Sequence, residues 1–203
     1  VIGDYGLMSK TPVRTLADLE GMKVASIGAY HPKILAAAGA VPVSMPVSQR
    51  YQSLQTGVVD GSVLPFDLNM NIRTHELVKY GTILGMGAAF STSVTFNREV
   101  WNKLPEDIQE IILQVGAEAS KKYAAENDAL GLEAIEEMKA AGVEFIVLPA
   151  AEKAKWAELL PDFPAEWARE MNEKGQPGTR VMEAYLEITE KAGFQHARQW
   201  GTK

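Results

Sequence analysis

The stretch "YQSLQTGVVDGSVLP", residues 51–65, decides the fold. Ser48 is placed to cap a short helix holding Tyr51 and Leu54, and Gly57 is placed to end it. Val58 and Val59 are β-branched and read as the start of a strand. A sharp turn at Asp60 and Gly61 follows, and the chain emerges apolar again, at Val63, Leu64 and Pro65. Helix, strand, turn and a second extended run therefore follow one another with no polar linker between them.

The same alternation extends outward in both directions. Upstream, Thr15 followed three residues later by Asp18 forms a capping-box-like start to a short helix that Gly21 ends. "KVASIG" reads as a strand. "HPKILAAAGA" is a helix with proline in its first turn, ending around Gly39, and "VPVSM" is extended again. This β-α-β order, repeated, predicts an α/β sheet. Downstream, "FDLNMNIRTHELVKY" reads as helical and "YGTILG" and "STSVTFN" as strands. Pro105 opens the longest periodic segment, in which Ile108, Ile111, Ile112, Val115, Ala119 and Tyr123 recur at three- and four-residue steps. A helix from there to Gly142 would be roughly 55 Å long, which predicts either a brace across two lobes or a break near Gly131. "VEFIVLP" is then a strand, "AEKAKWAELL" and "PAEWAREMNEKG" are amphipathic helices, and a last helix starts near Thr179. Trp101, Trp156 and Trp167 fall within amphipathic segments, where core packing explains them.

The totals remove several function classes. A chain of 203 residues, 46% hydrophobic, buries a substantial core. Its formal charge of -6, with no Lys/Arg cluster, opposes binding to nucleic acid or anionic lipid. No apolar run approaches the ~20 residues of a bilayer span, and "VIGDYGLMSK" lacks the regions of a signal peptide. Zero cysteines exclude disulfides, thiolate metal sites and cysteine nucleophiles.

Catalytic motifs are equally sparse. His31, His75 and His196 share no spacing that puts two imidazoles on one metal. His31 stands out only because it precedes Pro32 at a helix start after a strand. "GMGAAF", residues 85–90, imitates the opening of a dinucleotide fingerprint, but Phe90 occupies the place of the third glycine. No phosphate loop or nucleophile elbow is present, and no cofactor is expected. Glu133, Glu136 and Glu137 have the spacing of a solvated helix face.

Four blocks in order, "TLADLEGMKV", "AGAVPVSMPVSQRYQSLQTGVVDG", "FNREVWNKLPEDIQEII" and "EWAREMNEKGQPG", resemble the extracytoplasmic solute-binding proteins of TRAP transporters, with "YQSLQTGVVDG" the most specific. The resemblance covers nearly the whole chain, yet matches only the rear two thirds of such a receptor. It implies a periplasmic-binding-protein-like (type II) two-lobe α/β fold, truncated at the N-terminal lobe, with a long bracing helix. Residues 1–90 would supply most of the second lobe, 91–141 the crossing strand and lobe-spanning helix, and 142–203 a strand and helices packing on the lobes. It also implies a periplasmic location, a small organic solute as ligand and membrane permease subunits as partners. A homodimer would cover surfaces meant for an absent lobe. In this picture the Asp60–Gly61 corner directs the next segment toward the cleft, glycine supplying positive φ, and Asp60 is a backbone-bonding turn residue.

The resemblance also places the ligand site. Most family members carry, in the strand after "GLK", an arginine that grips the ligand's carboxylate in bidentate fashion; here "GMKVAS" has Ala25 there. Leu64 stands where a polar asparagine is common. A pocket lined by Tyr5, Ala25, Ser26, Leu64, Met86 and Phe90 would be largely apolar and would favour an aromatic or otherwise apolar solute, either an organic acid or an aromatic compound. If a carboxylate is bound, Arg14, Arg50, Arg73 or a residue of the absent lobe must pair with it, and spacing does not choose among them. The competing reading is a small α/β enzyme using Asp60 or His31 in the cleft.

Overall fold

The computed structural model of the chain describes residues 5–85, 93–194 and 196–201. Strands β1 (Tyr5–Ser9), β2 (Lys23–Ser26), β3 (Val41–Ser44), β4 (Gly61–Pro65), β5 (Tyr80–Ile83) and β6 (Glu144–Val147) form one sheet in the order β3-β2-β4-β1-β5-β6. β1 is antiparallel to β4 and β5, whereas β2 is parallel to β3 and β4, and β5 to β6. Every strand but β1 therefore ends on the same edge of the sheet, and β1 begins there.

Helix α1 (His31–Ala37) joins β2 to β3, and α2 (Arg50–Gln55) joins β3 to β4. Because β3 and β4 flank β2 on opposite sides, right-handed crossovers send the two helices to opposite faces. Leu35 of α1 accordingly packs with Leu7, Val24 and Val63, and Leu54 of α2 packs with Met8, Ala25 and Phe66. The first core is closed by α6 (Ala150–Leu159), whose Trp156 Nε1 donates to the carbonyl of Ile34 at 2.9 Å and whose Glu152 carboxylate accepts from the amide of Leu16 at 2.9 Å.

Ser48 does not cap the helix of residues 50–55: it lies inside a short 3-10 turn, Val47–Gln49, and α2 follows Gln49 with no side-chain cap. Val58 and Val59 form no strand; the chain reverses at Gly57, with φ 77°, and the strand begins at Gly61. Gly61 itself has no positive φ; it is needed because an added Cβ would lie 2.8 Å from Leu7 Cδ1 and 3.0 Å from the Met8 carbonyl oxygen. Asp60 bonds backbone as expected: its Oδ2 accepts from the Lys23 amide at 3.0 Å, and its own amide donates to the Lys23 carbonyl at 2.8 Å.

Further on, the single helix expected over "FDLNMNIRTHELVKY" is divided. Helix α3 (Phe66–Asn71) stops before Arg73, whose φ of 60° is left-handed, and a short 3-10 turn, Thr74–Glu76, follows. Of the expected strand "STSVTFN", residues 93–97 have no regular structure and the preceding two lie outside the described residues. Helix α4 (Arg98–Trp101) is capped by Asn97, which accepts from the amides of Glu99 and Val100. Helix α5 (Glu106–Ala140) then runs unbroken through Gly131 for 35 residues, roughly 52 Å. Ala134 and Met138, in its last turns, pack with the α2 face of the sheet, while Ile111, Leu113 and Val115 remain exposed. α7 (Phe163–Glu173) and α8 (Gly178–Lys191) form a closing hairpin, in which Gly178 lets the two helices meet at the Ala168 carbonyl. Among the described residues no helix is long and apolar enough to cross a membrane.

Candidate functional site

In open sheets of this kind the ligand crevice lies outside the carboxyl ends of the strands, where the strand order reverses. Here that point is between β2 and β4, because the chain leaves β2 toward β3 and returns past it to β4. The two strands pair only from Val24–Gly61 to Ala25–Ser62. Beyond that pair the sheet parts.

Arg50, the first residue of α2, fills the parting. Its side chain is fully buried, and its Nη1 donates to the Ser62 hydroxyl at 3.1 Å and to the Val63 carbonyl at 2.8 Å. A carbonyl that β2 no longer reaches is thereby satisfied by a cation. Nε and Nη2 of the same guanidinium have no partner among the described residues. Leaving a buried donor unsatisfied costs about 1–3 kcal/mol, and more on a charged group. Burial pulls the guanidinium down to about 10, with Tyr5 opposing that shift, so it remains charged at neutral pH.

Two rings stand beside it. Tyr5, at the start of β1, and His31, at the start of α1, have ring centroids 4.4 Å apart. Burial raises the Tyr5 phenol, against the opposing charge of Arg50, while burial lowers the His31 imidazole. Ser26, the last residue of β2, is buried with its hydroxyl unpartnered among the described residues.

The sequence-based site list divides between the two faces of the sheet. Tyr5 belongs to the core shared with Val24 and Val63, and Ser26, adjacent to Ala25 in β2, points to the same side. Ala25 lies on the other side next to Ser62, with Leu64 two residues further along β4 on that side, both fully buried. Met86 and Phe90 lie outside the described residues. The three arginines separate clearly: Arg14 pairs with Glu144 at the surface, Arg73 pairs with Glu76, and Arg50 alone enters the parting. Asp60 precedes β4 and so sits at the edge opposite His31, which removes the two from a common catalytic cleft. No cluster of three or more potential metal-ligating side chains occurs among the described residues.

The parted carboxyl edge of this α/β sheet, with its buried cation, lies where open sheets of this kind place their ligand crevice. Residues 3–170 match the profile of bacterial extracellular solute-binding proteins, family 7, and the chain belongs to that family. It is 37% identical over 138 residues to the C4-dicarboxylate-binding periplasmic protein of Rhodobacter capsulatus, covering 65% of this chain and 40% of that protein. Over 144 residues it is 30% identical to the 2,3-diketo-L-gulonate-binding periplasmic protein of Escherichia coli, covering 68% of this chain and 42% of that one. A TRAP periplasmic solute-binding protein from Desulfovibrio salexigens, crystallised with bound orotic acid, superposes with a TM-score of 0.81 at 30% identity, covering 94% of this chain and 60% of that chain. The chain thus spans about half the length of the proteins it matches.

Proposed function

We propose that the chain is part of the extracytoplasmic receptor of a TRAP transporter, which captures a small organic solute in the periplasm and delivers it to membrane permease subunits. Residues 1–90 form most of its second lobe, 91–141 cross back and brace the two lobes, and 142–203 pack on them. The observation that carries this reading is the family match over residues 3–170, with the crevice at the parted edge of β2 and β4 as the place of binding. The receptor works without covalent chemistry: solute binds the closed arrangement of the lobes better than the open one and shifts the population toward closure. Tyr5, Ser26, Ala25 and Leu64 contribute to the ligand cavity or to the wall behind it.

Thermal shift of the complete receptor against aromatic acids, neutral aromatics and dicarboxylates tests this function. The expected result is concentration-dependent stabilisation by one of these classes. Absence of stabilisation by every class, together with a ligand-free protein in native mass spectrometry, refutes it.

A further inference from the structure

We infer that Arg50 is the anchor for one carboxylate of the solute, held on the edge formed by its Nε and Nη2. This inference rests on the receptor reading above.

Nη1 is committed to the fold through Ser62 and Val63, which fixes the plane of the group and its position at the carboxyl edge of β4. The nitrogens left over, Nε and Nη2, are not an arbitrary pair. They share one side of the planar group and present two parallel N–H bonds, the geometry that a carboxylate accepts in bidentate form. Arg198 also spends its Nη1 on backbone carbonyls and leaves Nε without a partner, but Arg50 leaves both nitrogens of that side open.

The charge balance agrees. Arg14 and Arg73 have acidic partners, and no salt bridge reaches Arg50 among the described residues. An incoming carboxylate would neutralise the buried charge and satisfy both open donors in one contact. The ligand class that this edge fits is an organic acid, one of whose carboxylates rests on Arg50.

The test uses the complete receptor with benzoate, orotate and succinate as probes, and benzamide as the uncharged counterpart of benzoate. Calorimetry on the wild type should find at least one acid bound and benzamide bound at least tenfold more weakly than benzoate wherever benzoate binds. Arg50→Lys keeps the charge but loses the two-nitrogen edge, and Arg50→Gln loses both; each should weaken the acid by roughly 10- to 100-fold. Because either variant risks the fold, the Nε–H resonance of Arg50 in the wild type supplies an independent readout: it should move downfield on adding the acid that binds. An acid that binds equally well to a folded Arg50→Lys or Arg50→Gln protein, or leaves the Arg50 Nε–H resonance unmoved, overturns the anchor while the receptor reading stands. Binding of benzamide as tight as benzoate does the same. If no probe of either kind binds the wild type, the anchor falls, while the receptor reading is decided by the thermal-shift and native mass spectrometry test above.

Discussion

His31 gives the crevice a pH signature. Burial holds its imidazole below the ordinary 6.5; the backbone hydrogen bond with Ile27 opposes that shift and the Arg50 charge adds to it. The unfolded chain then binds the proton more readily than the folded one, so stability is complete above about 6.5 and falls as pH drops below it. Urea melts at pH 7.5 and pH 5 should differ for the wild type, and the difference should shrink in His31→Asn; an unchanged difference would refute the assignment. Gly61→Ala should cost about 1–3 kcal/mol in the same melts, because the added methyl meets Leu7 and the Met8 carbonyl. Neither Gly61 nor Arg50 was legible for the right reason in the sequence. The glycine reads as a turn residue because neighbouring letters hold turn chemistry, whereas its cause is the approach of β1 from more than fifty residues earlier. Arg14, Arg50 and Arg73 are equivalent as letters; what separates them is that Glu144, 130 positions along the chain, claims one and local Glu76 another.

Asp60 works at the level of the element. It joins the leading ends of β2 and β4 to the trailing end of β1: its side chain and amide engage Lys23 of β2, its carbonyl accepts from Lys10 just past β1, and β4 starts at the next residue. Asp60→Ala should destabilise the protein by about 1–2 kcal/mol while leaving solute affinity within a factor of two, since the crevice is at the opposite edge. A large loss of affinity with stability intact would restore the catalytic or ligand-contact reading of this residue. Local signals foretold most elements well. Thr15 and Asp18 do form a capping box, with the Asp18 carboxylate accepting from the Thr15 amide at 2.8 Å, and Pro32 does sit in the first turn of α1. The failures came where tertiary context overrode local pattern: β-branched Val58 and Val59 sit in a turn, and Arg73 takes a left-handed conformation that splits the expected helix.

For the molecule as a whole, the periodicity of α5 was legible but its partner was not. Ile108, Ile111 and Val115 are exposed, although a stripe of that kind ordinarily faces a core. In the proposed receptor this face lies against the other lobe. Left uncovered, it should drive the 203-residue chain to self-associate in light scattering, and Ile111→Glu combined with Val115→Glu should restore a monomer without loss of helical circular dichroism. A wild-type chain that stays monomeric at high concentration would refute that role. The same helix is buried over its C-terminal part, at Asn127, Ala134 and Met138, and continues without a break to Glu106. It has the form of a lever: a tilt of about 5° at the buried end sweeps the far end, roughly 30 Å away at ~1.5 Å per residue, through about 3 Å. A sub-ångström adjustment beside the sheet thus arrives at the distal tip as a displacement large enough for a neighbouring protein to sense.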